Sequence, residues 1–106
     1  MSLNQDMMAA ARERLDRDAR LMILKLLAEQ VDGRLNAIML RSQMELVWAV
    51  RRTPEWLETH LNRMAELGAV EVIAAGVPIA HILPAGHDHL QERTVIAGIT
   101  RPVDFR

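Results

Sequence analysis

The chain has 106 residues, half of them hydrophobic and a quarter charged, with 13 Lys and Arg against 14 Asp and Glu and no cysteine. That length supports one domain with a modest core, and the composition excludes a disordered chain. Without cysteine there are no disulfides, no thiol chemistry and no cysteine-ligated zinc, which fits a reducing cytoplasm. The net charge of −1 offers no bulk excess of positive charge, so any basic face must arise by segregation. Aromatic residues are limited to Trp48, Trp56 and Phe105 beside seven methionines, which predicts an aliphatic, adaptable core. The most apolar runs, Leu21–Ala28 and Ala69–Leu83, carry Lys25 and Glu71 and are too short to span a bilayer. The N-terminus has no basic start followed by an apolar run, so no signal peptide is expected.

Residues 4–15 (NQDMMAAARERL) have strong helix propensity and an apolar patch of Met7, Met8, Ala11 and Leu15. They predict a helical arm over 1–15 whose patch, with little to cover in so small a domain, forms a homodimer interface. Asp16 or Asp18 can start the next helix, which runs to about Gln30 with Ala19, Met22, Ile23, Leu26 and Leu27 inward. Arg17, Arg20, Lys25 and Glu29 bracket that face. Val31-Asp32-Gly33-Arg34 reads as a turn, after which Asn36 caps a helix from Ala37 to about Trp48 that buries Met39, Leu40, Met44 and Val47. Arg51 and Arg52 fall in the next connection.

The stretch from Thr53 is the clearest in the chain. Thr53 is an N-cap, Pro54 suits the first helical position, and Leu57, Leu61, Met64 and Leu67 recur at helical spacing. Gly68 suits the left-handed residue past the helix end. AVEVIAAGVPIAHIL then reads as two short strands around Ala75–Gly76. His87 to Glu92 make about two turns of helix, and TVIAGITRP is an extended tail whose Val95, Ile96 and Ile99 pack back on the domain.

Arm, helix, helix, helix and hairpin make a mainly helical α+β fold. The order predicts a winged helix-turn-helix domain over 16–106, with three core helices, a β-hairpin wing, a short C-terminal helix and a tail. Such a domain presents its third helix to DNA. On that helix Glu55, Trp56, Glu58, Thr59, Asn62 and Arg63 point outward, and Thr59, Asn62 and Arg63 are types that read base edges or hold phosphates. With Arg51, Arg52 and Thr53 they form the expected contact surface for double-stranded DNA. Glu55, Glu58 and Glu66 oppose a phosphate field, and Val72 through Ile82 carry no Lys or Arg; a plain solvated helix face is the competing reading. Trp56 is either an interface anchor or packed against a neighbouring helix or the tail.

His87-Asp88-His89 looks like a fragment of a metal site but lacks further ligands at a recognisable spacing. His60 and His81 stand alone. There is no Ser/His/Asp order, paired-carboxylate signature or glycine-rich phosphate loop, so neither an enzyme nor a cofactor is expected.

The segments LDRDARLMILKLLAE, LNAIML, HLNRMAELGAV and LPAGHDHLQERTVIAGITRP give residues 16–102 a resemblance to a small winged-helix family of Mu-like phages and prophages, itself similar to ArsR-type regulators. The tail is the most specific part: Gly86, Asp88, Arg93, Val95, Gly98, Arg101 and Pro102 stand where that family has a short helix and a glycine-containing segment ending in Arg-Pro. The resemblance implies a DNA-binding transcriptional regulator of phage or prophage origin. The chain departs from the family in having Val47-Trp48-Ala49-Val50 where a glycine is expected after the second helix, and in Glu55 and Glu58 where more basic residues are usual. The near-neutral charge and uncharged wing support an alternative, a winged-helix interaction module within a phage assembly or DNA-packaging complex.

Overall fold

A single helix of 27 residues, α1 (Leu3–Glu29), opens the computed structural model, which describes residues 3–105. The expected break at Asp16 or Asp18 is absent, so the arm is the first half of α1 and not a separate helix. A cap requires extended backbone at its own position, and the strong helix formers of MMAAARERL carry the helix straight through. The two aspartates face other elements: Asp18 Oδ1 accepts from the Thr100 hydroxyl at 2.6 Å, and Asp16 lies 4.0 Å from the His60 ring. From Ala19 on, α1 is the spine of the core. Ala19, Ile23, Leu26 and Leu27 are buried as expected, and Leu21 and Leu24 are buried as well, because α2, α4, β1 and β3 pack around more than one side of it. Arg20, expected at the solvated edge, is only 7% exposed.

The turn after α1 leads into β1 (Arg34–Asn36), a strand that the sequence does not announce. Gly33 makes it possible. Its φ of +70° is left-handed, and a Cβ there would sit 2.9 Å from Ile82 Cγ2. Gly33 O also accepts from the Ile82 N–H at 2.9 Å, which starts the pairing of β1 with β3 (Ile79–Ile82).

α2 (Ala37–Trp48) is capped by Asn36, whose side chain accepts from the Met39 N–H at 2.8 Å. Leu40 and Met44 are buried, but Met39 and Val47 are 44% and 56% exposed, contrary to expectation. α2 lies at the surface with only a narrow face against α1 and α3. It ends at Ala49, whose φ of 57° is left-handed, with the Ala49 N–H donating to Glu45 O and the Val50 N–H to Met44 O.

α3 (Pro54–Glu66) follows the sequence closely. The Thr53 hydroxyl accepts from the Trp56 N–H at 3.1 Å, and Leu57, Leu61 and Met64 are buried, with Leu67 half-buried beyond them. β2 (Val70–Ile73) and β3 form the hairpin, and the three strands are antiparallel in the order β1-β3-β2.

α4 (Pro84–Leu90) starts earlier than His87, because Pro84 initiates it directly after the sheet. The tail is a series of turns rather than an extended segment, with one 3-10 turn at Pro102–Asp104. Ile99 is buried and Ile96 half-buried, while Val95 faces outward at 64% exposure. The Thr100 N–H donates to Arg17 O at 3.3 Å, and Phe105 meets Trp48 edge to face with centroids 6.1 Å apart. Among the described residues the result is an α+β fold of four α-helices and a small three-stranded antiparallel sheet. None of the helices described is long and apolar enough to cross a membrane.

Candidate nucleic-acid interface

The left-handed turn at Ala49 folds the chain back along α2 and brings Arg51 onto Glu45. Arg51 donates from Nε and Nη2 to Glu45 Oε1 at 3.1 and 2.6 Å. That hydrogen bond, then the charge of Glu45, raises the guanidinium above its ordinary pKa. Arg52 is half-buried; its Nη1 donates to Arg51 O at 3.0 Å, and its guanidinium lies over the Trp56 ring, 5.3 Å from the centroid. Arg41, one turn before Glu45 on α2, donates from Nε to Arg52 O at 3.0 Å. Ile38, Arg41, Ser42, Glu45, Arg51 and Arg52 together line a depression of about 240 Å³.

Arg41, Ser42 and Glu45 were not singled out by sequence. Arg41 and Glu45 are four residues apart and so share a helix face, but only the folded turn shows that Arg51 and Arg52 close over that face.

The remaining expected contact residues run along α3. Thr53 lies at its start, its hydroxyl occupied by the cap. Thr59, Asn62 and Arg63 are exposed on successive turns, and Arg63 is paired with Glu66 at 3.7 Å. Glu55 and Glu58 are exposed on the same helix. So the structure gathers Arg51, Arg52 and Thr53 at the entrance of α3, while its outward face is predominantly acidic. Beside the basic depression lies an apolar cleft of about 460 Å³ between α2, α3 and the hairpin. Ile38 and Arg41 belong to both, and Leu61, Val72, Val77 and Pro78 line the cleft with Glu58 and Asn62.

On its inner side α3 is tied to α1. Trp56 is half-buried and stacks on His60 with centroids 4.0 Å apart, so it is a packed residue and not a free anchor. His60 is 8% exposed and accepts at Nδ1 from Arg20 Nε at 3.1 Å. Burial first, then the Arg20 charge, lowers its pKa, with Arg52 adding to the effect and Asp16 and Glu13 opposing it.

His87 is exposed, whereas His89 is buried. His89 accepts at Nδ1 from the Ile96 N–H at 3.0 Å and therefore donates from Nε2 to Thr100 O at 2.9 Å. It is a neutral clamp on the tail. Among the described residues no cluster of three or more His, Cys, Asp or Glu is placed to hold a metal. In the first half of α1, Met7, Met8 and Leu15 are 61%, 62% and 56% exposed, and Ala11 is half-buried.

No family model matches the chain, and no curated protein matches it.

Proposed function

We propose that this protein is a winged helix-turn-helix DNA-binding protein that holds duplex DNA chiefly through its phosphates. Helix, strand, helix, helix and hairpin, with β3 between β1 and β2, is the winged-helix order and supports the fold reading. In a helix-turn-helix the first helix crosses the phosphate backbone and the second enters the major groove; α2 and α3 take these places. The observation that carries the reading is the depression at the α2–α3 turn, where Arg41, Arg51 and Arg52 meet beside Ser42 and the entrance of α3.

Arg41 on α2, with Arg51 and Arg52 in the connection that follows it, supplies sequence-independent affinity. Thr59, Asn62 and Arg63 supply base reading from α3, weakened by the glutamates around them. The resemblance to the Mu-like phage family supports a role in transcriptional regulation. The exposed Met7, Met8 and Leu15, with Ala11, support a homodimer joined through the first half of α1, which sets two α3 helices on one duplex. Titration of a fluorescent duplex at low ionic strength tests the reading, and binding that weakens steeply with salt supports it.

A specific observation also favours the interaction-module reading. The apolar cleft adjoins a surface of α2 where Ile38, Met39 and Leu46 are 58%, 44% and 84% exposed. Without duplex binding, that surface becomes the functional one.

A further inference from the structure

In the basic depression Glu45 stands among three arginines. Its Oε1 takes both the Nε and Nη2 donors of Arg51, the planar fork that would otherwise grip an anion's oxygens. Nothing in packing requires this arrangement. The Arg51 side chain is 82% exposed and that of Glu45 47% exposed. By contrast, Arg52 is held by the Arg51 carbonyl and the Trp56 ring, and Arg41 by the Arg52 carbonyl. Two cationic walls are therefore fixed, and the third arginine is parked on an internal carboxylate.

We infer that this depression is a phosphate-binding site, lined by Arg41, Ser42, Arg51 and Arg52, in which Glu45 is a built-in stand-in for the anion. A phosphate oxygen takes the Arg51 fork from Glu45, and the released carboxylate turns to solvent. Arg41 and Arg52 balance the incoming charge, and the Ser42 hydroxyl offers a donor. The choice of a phosphodiester of duplex DNA over free phosphate rests on the function proposed above; the site itself rests on the depression and its donors. An exposed ion pair is a weak interaction, so Glu45 tunes the affinity and does not abolish it.

The test uses the full chain and its Glu45→Gln variant, with folding of each checked by circular dichroism. Sodium phosphate is titrated against sodium chloride at equal ionic strength while the Arg Nε–H signals are followed by NMR, and duplex affinity is measured by anisotropy. The expected result is a saturable shift of the Arg51 signal with phosphate and not with chloride. In Glu45→Gln both phosphate and duplex should bind about 1.5- to 5-fold more tightly, the range an exposed pair spans. Equal responses to phosphate and chloride overturn the site, whether or not duplex binds elsewhere. A phosphate response that Glu45→Gln leaves unchanged overturns the role of Glu45. A phosphate response strengthened in Glu45→Gln, in a protein that binds no duplex, upholds the site and overturns the DNA-binding function instead.

Discussion

Arg20 of α1 donates from Nε to Nδ1 of His60 on α3 at 3.1 Å, and its Nη1 donates to Gly98 O of the tail at 2.7 Å. One buried guanidinium thus joins the long helix, the third helix and the C-terminal segment. The arrangement requires a neutral imidazole, because a proton on Nδ1 would face the Arg20 donor.

This geometry makes stability depend on pH in a stated direction. Unfolded, His60 has its ordinary pKa of 6.5; folded, burial and Arg20 lower it. Between those two values the unfolded chain binds the extra proton, so stability rises with pH. The contribution is fully present above 6.5 and is lost as pH falls from there through the folded value. Urea unfolding at about pH 7.5 and about pH 5.5, on either side of the imidazole range, should show the native chain losing more stability on acidification than His60→Gln. Equal losses would remove His60 as the cause.

Ala49 occupies a left-handed conformation, with φ of 57°, where side-chain-bearing residues are disfavoured. Ala49→Gly should stabilise the protein by about 1 kcal/mol, raising Tm by several degrees. Thermal unfolding measures this directly, and a lower Tm would contradict the strain.

Gly86 is a glycine for a different reason. A Cβ there would lie 2.6 Å from Ala69 O and 2.9 Å from Ile82 Cγ1, because α4 presses against the end of the sheet. Gly86→Ala should cost about 1–3 kcal/mol, the usual range for overpacking. Denaturant unfolding with an unchanged midpoint would show that α4 sits farther from the sheet.

The first half of α1 carries an uncovered apolar patch. Over roughly 20 Å of helix Met7, Met8 and Leu15 stay in solvent, and such a segment gains little stability without a covering surface. Removing residues 1–15 should convert a dimer to a monomer in sedimentation. An unchanged oligomeric state would move the interface elsewhere.

What could be read from the sequence divides along physical lines. Thr53 to Gly68 was legible because cap, proline, apolar stripe and glycine stop all agree, and each acts locally. The hairpin was legible from its β-branched runs. β1 was not, since Arg34-Leu35-Asn36 has no strand signal and exists only because Gly33 delivers it to β3. The continuity of α1 was hidden by two aspartates that resemble caps but serve the tail and His60. Arg51, Arg52 and the α3 residues could be placed by order along the chain. The pairing of Arg51 with Glu45 could not, as it depends on the left-handed turn at Ala49, and with it went Arg41 and Ser42.

Phosphate contact at the α2–α3 turn can be read from the salt dependence of duplex binding. Each phosphate contact contributes about 0.9 to the slope of log affinity against log salt concentration. Replacing Arg51 and Arg52 together with Ala should weaken binding to all duplex sequences alike and flatten that slope by about two units. Asn62→Ala should instead relax sequence preference and leave the slope alone, since an amide reads adenine edges. If the native protein shows no salt-sensitive duplex binding at low ionic strength, or if the slope is the same without Arg51 and Arg52, the α2–α3 turn does not hold phosphate.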